Sequence, residues 1–310
     1  MINKLFKKKG KIREEGVFNR PLEPFVYLLP FAIGLTIFTI YPIINVFLMA
    51  FKNNYKLSGT YDGWGIANFT KVIGDQLFIS AVKNTSQYVF VVVPVATCLS
   101  ILIAVLLNQK IKGIAIFQTA YFLPMVTSTI AVGLVWKYMF NKDIGIINTF
   151  LGLFGVEPIN WLGATAGLAP YNIWAVIIFG IWNMMPFTII LLLSGLQNID
   201  PLYYTAAKVD GASTSKQFFR ITLPLLSPTI FLTMIVNMIS AFKMYNDIIP
   251  FWNGSAGTTG TNLYSIVYYI KEQFYSYHKL GYAAAASLIL FGIIFAFTML
   301  QKYIQNKFKY

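Results

Sequence analysis

Long stretches without a charged residue constrain this chain more than any other feature of its sequence. Seven stretches of 20 or more residues lack Asp, Glu, Lys and Arg, and they cover residues 24–51, 84–109, 113–136, 158–199, 221–242, 248–270 and 280–301. A helix crosses the hydrocarbon core of a bilayer, about 30 Å thick, with about 20 apolar residues. Each stretch is therefore long enough to cross a membrane as a helix.

Two of these stretches contain polar or turn-forming segments that limit the spans. Residues 253–262, with the sequence NGSAGTTGTN, are typical of a loop, so the stretch 248–270 is not counted as a span. Residues 158–170 contain Asn160, Gly163 and Gly167, so the fourth span is predicted to begin near Tyr171. Six transmembrane helices are then predicted, at residues 25–50, 86–107, 116–139, 171–194, 229–250 and 282–301.

The amino-acid composition also indicates a membrane protein. Only 11% of the residues are charged and the mean hydropathy is +0.63, whereas about 25% of residues are charged in soluble domains. A soluble enzyme and a disordered chain are therefore excluded, and the predicted fold class is an all-α polytopic membrane protein. The single cysteine, Cys98, and the single histidine, His278, provide neither a disulfide nor a cluster of metal ligands.

The positions of the basic residues predict how the chain is oriented. Fifteen Lys and Arg residues fall in the two termini and in the connections that follow spans 2 and 4, against seven in the other connections. By the positive-inside rule both termini are cytoplasmic, with a basic segment at residues 1–24 and a tail at residues 302–310 on either side of the membrane domain, residues 25–301. This distribution explains the net charge of +13 without a nucleic-acid partner. The first span is too long for the apolar region of a cleaved signal peptide, about 7–15 residues.

The connection between spans 4 and 5, residues 195–228, begins with a predicted short helix. Asp200 followed by Pro201 is typical of a helix N-terminus, with the aspartate as N-cap and the proline in the first turn. The helix is predicted to end near Val209, because Gly211 permits a sharp turn.

A second short helix is predicted in the same connection. Thr214, with Gln217 three residues later, indicates a capping box, and this helix is expected to end near Pro224. Ser227 and Pro228 then predict the start of span 5. The result is a helix-turn-helix on the cytoplasmic side that has no pair of nucleophile and base, so it either docks into a partner or packs on the spans.

This connection resembles the characteristic cytoplasmic loop of ABC importer permeases. The family pattern is Glu-Ala-Ala, three residues, Gly, nine residues and then Ile-x-Leu-Pro. The chain has the same spacing with Thr205-Ala206-Ala207, Gly211 and Ile221-Thr222-Leu223-Pro224. Thr205 stands where the family pattern has glutamate.

Two further segments resemble the carbohydrate class of these permeases, which includes the maltose and multiple-sugar subunits. They are FLPMVTSTIAVGLVWKYMFNKDIGIIN at residues 122–148 and GYAAAASLILFGII at residues 281–294. The likeness covers nearly the whole chain from about residue 25. It departs at residues 253–262, where many relatives have a Gly-Gly-Pro turn and this chain has none.

The resemblance implies a transport subunit, rather than an enzyme, in an importer of the bacterial or archaeal plasma membrane. The chain would pair with a second permease, two ATPase subunits would dock from the cytoplasm, and an extracellular binding protein would deliver a sugar or oligosaccharide. The short helix at residues 201–215 would sit in a cleft of the ATPase, and the residues implied in this coupling are Thr205, Ala206, Ala207, Asp210, Gly211, Ala212, Leu223 and Pro224.

Energy for transport must come from outside this chain. The phosphate-binding pattern Gly-x4-Gly-Lys-Ser/Thr does not occur in its sequence. No cofactor is therefore expected on the chain, and ATP and Mg²⁺ would be used by the partner ATPase.

Polar and aromatic residues within the spans are candidates for the substrate path. Lys243 and Asp247 are four residues apart, so within a helical span 5 they share one face. They either pair, line a water-filled cavity or lie near the outer interface. Trp136 and Tyr138 are further candidates for stacking on a sugar ring. The predicted path residues are Trp182, Asn183, Asn237, Ser240, Lys243, Tyr245 and Asp247.

Two other functional classes remain open on these residues. An ion-coupled secondary carrier would use Lys243 and Asp247, although no internal repeat is visible in the sequence. A membrane-embedded enzyme would need paired acids, a Ser/Lys dyad or a metal cluster, and Lys243 and Asp247 are the only ionisable residues well inside the spans, apart from Lys137 near a span end.

Overall fold

A computed structural model describes residues 23–109, 112–162, 171–251 and 263–307 of the chain. The predicted loop at residues 253–262, most of the basic N-terminal segment and the last three residues lie outside the described residues. The described helices are α1 (Glu23–Leu35), α2 (Tyr41–Phe51), α3 (Ala67–Ile73), α4 (Gln76–Leu107), α5 (Ile114–Val126), α6 (Thr129–Met139), α7 (Ile146–Gly152), α8 (Tyr171–Gln197), α9 (Pro201–Val209), α10 (Thr214–Gln217), α11 (Leu223–Phe242), α12 (Ile266–Tyr275) and α13 (Leu280–Lys307).

The chain divides into two compact units, residues 1–48 and 49–310. The described part of the first unit is helical throughout, because α1 continues through a π-helical turn at Thr36–Ile40 into α2. In the second unit the regular secondary structure of the described residues is also helical, with turns and irregular connections between the helices and an isolated backbone bridge between Lys52 and Trp64. An all-α architecture therefore holds for the described ranges.

Five helices of the described chain are long and apolar enough to cross a membrane. They are Phe25–Phe51, Gln76–Leu107, Asn172–Gln197, Thr214–Phe242 and Leu280–Lys307. The remaining predicted span, residues 116–139, is not one straight helix, because α5 and α6 meet at an angle of 103°. Pro124 removes a backbone donor from the last turn of α5, and the chain turns to extended geometry at Thr127, whose hydroxyl donates to the Pro124 carbonyl over 2.8 Å. The described ranges thus contain five candidate spans, or six if the bent pair counts as one.

Two helices run beyond the spans predicted for them. Helix α4 begins at Gln76 rather than residue 86, because the Asp75 side chain caps it by accepting from the Leu77 amide at 2.9 Å. At 1.5 Å per residue its 32 residues are about 48 Å long, well above the hydrocarbon thickness of about 30 Å. Helix α13 likewise continues past residue 301 to Lys307. Counting charge-free residues locates the hydrocarbon-spanning part of a helix but not its polar extensions.

The start of span 5 differs from the prediction. The second short helix does not end near Pro224, and no new helix begins at Ser227. Instead α10 and α11 belong to one continuous helix, Thr214–Phe242. A π-helical turn at Phe218–Thr222, closed by a hydrogen bond from the Leu223 amide to the Phe218 carbonyl, precedes Pro224. Pro224 then lies in the first turn of α11, where a missing amide hydrogen is tolerated.

The end of span 5 also differs. Helix α11 ends at Phe242 rather than at residue 250, and Lys243 caps it with its amide donating to the Ser240 carbonyl. The chain then turns and forms a short 3-10 helix at Ile249–Phe251. Lys243 and Asp247 therefore do not share a helix face, because the helix has already ended before either of them.

Helices α4, α8 and α11 pack together at the centre of the second unit. Close approach of α8 and α11 depends on Gly195, since a Cβ atom there would lie 2.7 Å from the Thr229 hydroxyl oxygen and 2.8 Å from Leu226. Their packing buries an apolar cluster at one end of the unit, formed by Ile101, Ala104, Leu107, Ile189, Leu192, Leu196, Ile199 and Leu226. This cluster supports the connection between α8 and α11, and a polar cavity lies farther along the same helices.

Candidate functional site

The connection between α8 and α11 forms a sharp helical corner, which we define as residues 200–217. Helix α9 begins as predicted, with the Asp200 carboxylate accepting from the Leu202 amide at 2.9 Å. It ends at Val209, and Gly211, two residues later, has φ of +70°. The amides of Gly211 and Ala212 close this end by donating to the carbonyls of Lys208 and Ala207. A glycine fits here because a side chain is strained at positive φ.

The second helix of the corner is capped one residue earlier than predicted. Ser213 has extended geometry and its hydroxyl accepts from the Lys216 amide at 3.4 Å, whereas Thr214 is already helical. The Gln217 side chain does not complete a capping box with Thr214. It donates instead to the Ala212 carbonyl over 2.8 Å and so braces the turn between the two helices.

One face of the corner is fixed to the apolar cluster below it. Tyr204, Phe218 and Leu223 pack against that cluster, and Ala207 is buried. The opposite face is open, since the side chains of Leu202 and Val209 are 71% and 84% exposed. The corner is thus a rigid projection with apolar side chains at its surface.

The residues implied in coupling, of which Leu223 and Pro224 lie beyond the corner, differ in their exposure. Ala207 is buried, and Ala212 and Leu223 are half-buried. The exposed members of the set are Thr205, Ala206, Asp210, Gly211 and Pro224.

A polar cavity of about 210 Å³ lies between α4, α8, α11 and the turn that follows α11. Four of the predicted path residues line it: Asn183, Asn237, Ser240 and Asp247. The other lining residues, which were not predicted from the sequence, are Tyr88, Gly180, Met184, Phe187 and Ala241. Asp247 is the charged residue among these lining side chains.

Asp247 is held in place by two neutral donors. Asn183 Nδ2 donates to Oδ1 at 3.0 Å, and the Tyr88 hydroxyl donates to Oδ2 at 3.1 Å. These bonds come from α8 and α4, so the carboxylate joins both helices to the end of span 5. Lys243 is exposed and does not line the cavity. Of the alternatives left open for these two residues, the structure shows Asp247 lining the cavity and Lys243 apart from it, so they do not act as a pair there.

Asn237 forms a second polar link across the cavity wall. Its side chain is only 2% exposed, and Nδ2 donates to the Thr188 hydroxyl oxygen at 2.9 Å. The Thr188 hydroxyl in turn donates to the Met184 carbonyl over 2.9 Å. This chain of bonds fixes α11 to α8 immediately beside the cavity.

Tyr88 reaches the cavity because Gly180 leaves room for it. A Cβ atom at position 180 would lie 2.3 Å from the Tyr88 hydroxyl oxygen, far inside van der Waals contact. A tyrosine within a charge-free apolar stretch is a weak signal in the sequence, since most such residues anchor a helix at the interface. Only the pairing with Asp247 identifies its role.

The aromatic candidates lie outside the cavity lining. Trp182 packs against Trp136 with 5.5 Å between ring centroids, and Tyr245 stacks on Tyr268. Tyr138 is exposed. These rings are therefore occupied in packing or face outward, and Trp182 and Tyr245 do not join the cavity residues.

A third polar group lies at the opposite end of the bundle from the corner. Glu272 of α12 is 2% exposed and accepts a hydrogen bond from the Tyr264 hydroxyl. Its burial raises the pKa of the carboxyl above the ordinary value. Nearby, the Tyr269 hydroxyl donates to Asp75 Oδ2 at 2.8 Å, and burial raises the pKa of this phenol as well. The Tyr269–Asp75 bond joins α12 to the start of α4.

Metal binding has no candidate site in the described ranges, where no three His, Cys, Asp or Glu residues cluster.

Comparison with known proteins identifies the family. A family model described as the inner membrane component of binding-protein-dependent transport systems matches residues 88–310. The chain belongs to this family. It is accordingly a multi-pass protein of the plasma membrane and the permease component of a binding-protein-dependent transport system.

Curated relatives match nearly the whole chain. The arabinooligosaccharides transport system permease protein AraP of Bacillus subtilis (strain 168) is 31% identical over 295 residues, which cover 94% of this chain and 91% of AraP. The trehalose/maltose transport system permease protein MalF of Thermococcus litoralis is 28% identical, with 89% and 90% of the two chains covered.

A solved structure has the same fold. A chain from the crystal structure of a bacterial ABC transporter involved in the import of the acidic polysaccharide alginate aligns with a TM-score of 0.78. The alignment covers 92% of this chain and 95% of the other, at 24% sequence identity. At this level of sequence identity, the structural similarity shows only that the two chains share the arrangement of their helices.

Proposed function

We propose that this chain is a permease subunit of an ATP-driven importer for a sugar or oligosaccharide. The observation that carries this proposal is the helix Thr214–Phe242, which begins at the exposed corner and ends beside the polar cavity. Relatives named for arabinooligosaccharides, trehalose/maltose and lactose support a carbohydrate substrate.

The corner is the docking element in this proposal. Its exposed apolar side chains, Leu202 and Val209, suit the cleft of a partner, because they would otherwise contact water. Gly211 keeps the tip narrow, and Ala206 is exposed beside it. A partner ATPase would bind here, holding ATP and Mg²⁺ itself, and its movement would shift the corner.

The cavity is the proposed part of the substrate path on this chain. Asn183, Asn237, Ser240 and Asp247 present amide, hydroxyl and carboxylate groups, which form hydrogen bonds with sugar hydroxyls. The matching half of the path would come from a second permease. An extracellular binding protein would deliver the sugar, and both termini and the corner would face the cytoplasm, where two ATPase subunits dock.

Co-purification tests this assignment directly. The chain is expressed with an affinity tag in its native host, extracted in mild detergent, and its bound proteins are identified by mass spectrometry. We expect an ATPase, a second permease and a binding protein, and the binding protein can then be screened against a panel of sugars. Recovery of this chain alone, under conditions that preserve a known importer complex as the control, would contradict the proposal.

A further inference from the structure

A pair of hydroxyl groups joins α9 to the start of span 5. Tyr204 Oη lies 3.0 Å from Thr222 Oγ1. Thr222 is buried in the π-helical turn that precedes α11, and its hydroxyl also lies 3.5 Å from the Gln217 carbonyl, to which it donates. With that proton committed, Thr222 Oγ1 accepts the proton of the Tyr204 phenol.

The same set of bonds continues to the tip of the corner. Gln217 donates from its side chain to the Ala212 carbonyl at 2.8 Å, and the Ala212 amide closes the end of α9 on Ala207. The middle of α9 and its C-terminal end are therefore tied to the first residues of the long helix, through Tyr204 and Ala212 respectively. The body of α9 and the π-helical turn cannot move apart without breaking the Tyr204–Thr222 bond.

The long helix carries this restraint to the cavity. From Thr214 to Ser240 the helix is continuous, a distance of about 39 Å at 1.5 Å per residue. Asn237 and Ser240, near its far end, line the polar cavity. A displacement of α9 that is held to the π-helical turn thus displaces the cavity wall through one helix.

We infer that Tyr204 and Thr222 are positioning residues that transmit movement of the docked corner into span 5. This inference rests on the proposed function, because it requires an ATPase on the corner. It adds that a single hydroxyl pair, rather than docking alone, determines how much of the ATPase movement reaches the cavity.

The test uses a reporter at the cavity and needs no identified substrate. Cys98 is the single cysteine, so Cys98→Ser combined with Ser240→Cys leaves one thiol, at the cavity wall. The tagged complex with its co-purified subunits is labelled with fluorescein maleimide, with and without Mg-ATP and vanadate. The ratio of the two labelling rates measures the ATP-dependent movement of span 5.

Three variants remove or retain the hydroxyl pair in this background. Thr222→Val keeps the shape of the threonine side chain and removes its hydroxyl. Tyr204→Phe removes the phenol hydroxyl, and Thr222→Ser retains the hydroxyl at position 222. Matched controls remove a threonine and a tyrosine hydroxyl on α13, Thr298→Val and Tyr303→Phe; the Thr298 hydroxyl only donates to its own helix, and Tyr303 is exposed.

We expect Thr222→Val and Tyr204→Phe each to lower the ATP-dependent ratio by roughly threefold to tenfold, the range for one net hydrogen bond. Thr222→Ser and the controls keep the ratio. The double variant loses no more than either single variant, since both remove the same bond. Recovery of the ATPase with the Thr222→Val complex stays unchanged, because Thr222 is buried and lies outside the corner.

Several results would overturn the inference. An unchanged ratio in Thr222→Val, or an equal loss in Thr222→Ser, shows that the hydroxyl transmits nothing. Loss of the ATPase from the Thr222→Val complex shows that the bond only shapes the docking surface. A parent complex that carries the ATPase but gives no ATP-dependent change contradicts the transmission to span 5, whereas absence of the ATPase from the parent contradicts the proposed function itself.

Discussion

The hydroxyl of Tyr88 donates to the carboxylate of Asp247 over 3.1 Å and thereby joins α4 to the turn that follows span 5. This bond crosses the cavity wall at a point where α8 has no side chain, because Gly180 lies directly beneath the phenol ring. The position of Tyr88 in the cavity wall therefore depends on residue 180 being glycine, which has a hydrogen atom where alanine has a methyl group.

Gly180→Ala should therefore destabilise the protein. The added Cβ atom would lie 2.3 Å from the Tyr88 oxygen and 2.7 Å from two of its ring carbons, so either the phenol or α8 must shift. Overpacking of this kind costs roughly 1–3 kcal/mol. We expect a lower unfolding temperature in detergent, measured by the heat-induced loss of monodisperse protein.

Gly292→Ala is the matched control for this change. It also lies in a spanning helix, α13, but a Cβ atom there meets nothing within 4 Å. Its unfolding temperature should equal or exceed that of the parent, because alanine favours the helix over glycine by about 0.5–1 kcal/mol. Equal stability of the Gly180→Ala protein and the parent would contradict the packing described for Tyr88.

Asp247→Asn should impair transport more than any exposed acid does. The amide can keep its oxygen toward Asn183 and donate to the Tyr88 hydroxyl oxygen, but both contacts then lose the carboxylate as acceptor. A hydrogen bond to a charged group contributes roughly 1.5–3 kcal/mol, so uptake should fall at least about tenfold. Uptake of the sugar identified through the co-purified binding protein measures this.

Asp143→Asn is the control for the loss of a carboxylate, since Asp143 is exposed and lies outside the cavity lining. It should transport like the parent. Normal uptake by the Asp247→Asn protein at unchanged protein level would show that the cavity does not require the carboxylate.

Local features of the fold could be predicted where a short segment decides them. Asp200, Pro201 and Gly211 set the ends of α9 by capping and by backbone geometry, and both act within a few residues. The continuous helix through Pro224 could not be predicted, because it depends on a π-helical turn that repositions the backbone without a clear sequence signal.

The cavity, too, could be predicted from the sequence only in part. Asn183, Asn237, Ser240 and Asp247 were candidates because polar groups are rare within apolar stretches. The helix-face argument covers only Lys243 and Asp247, whereas the observed grouping arises from α8, α11 and the turn after Phe242. Contacts between residues as distant as Tyr88 and Asp247 require the tertiary fold, which spacing along one segment does not contain.

The positive φ of Gly211 predicts an order among substitutions at the corner. Asparagine tolerates this geometry better than valine, which is β-branched, and a side chain at this position meets nothing within 4 Å. Recovery of the ATPase with the tagged chain should therefore decrease from the parent to Gly211→Asn and then Gly211→Val. Gly152→Ala, also in open space, is the control and should recover as much ATPase as the parent. Equal recovery with Gly211→Val would exclude a requirement for the sharp turn.

Burial of Glu272 predicts how stability depends on pH. Because burial raises the pKa of its carboxyl in the folded protein, the folded state favours the protonated form. Stability from this residue is fully present below the unfolded pKa, about 4.3, and is lost as pH rises through the raised folded value.

Glu272→Gln should remove that pH dependence. The glutamine stays neutral and its side-chain oxygen can still accept from Tyr264, which bonds the native carboxyl. Relative to the parent, the variant should therefore gain unfolding temperature as pH increases across this window, with equal values at the acid end. Unfolding temperatures in detergent from pH 4 to pH 8 measure the difference, and Asp143→Asn, which alters an exposed carboxyl, controls for the loss of one negative charge. Parallel curves of unfolding temperature against pH for the parent and Glu272→Gln would show that ionisation of the buried carboxyl does not destabilise the folded protein.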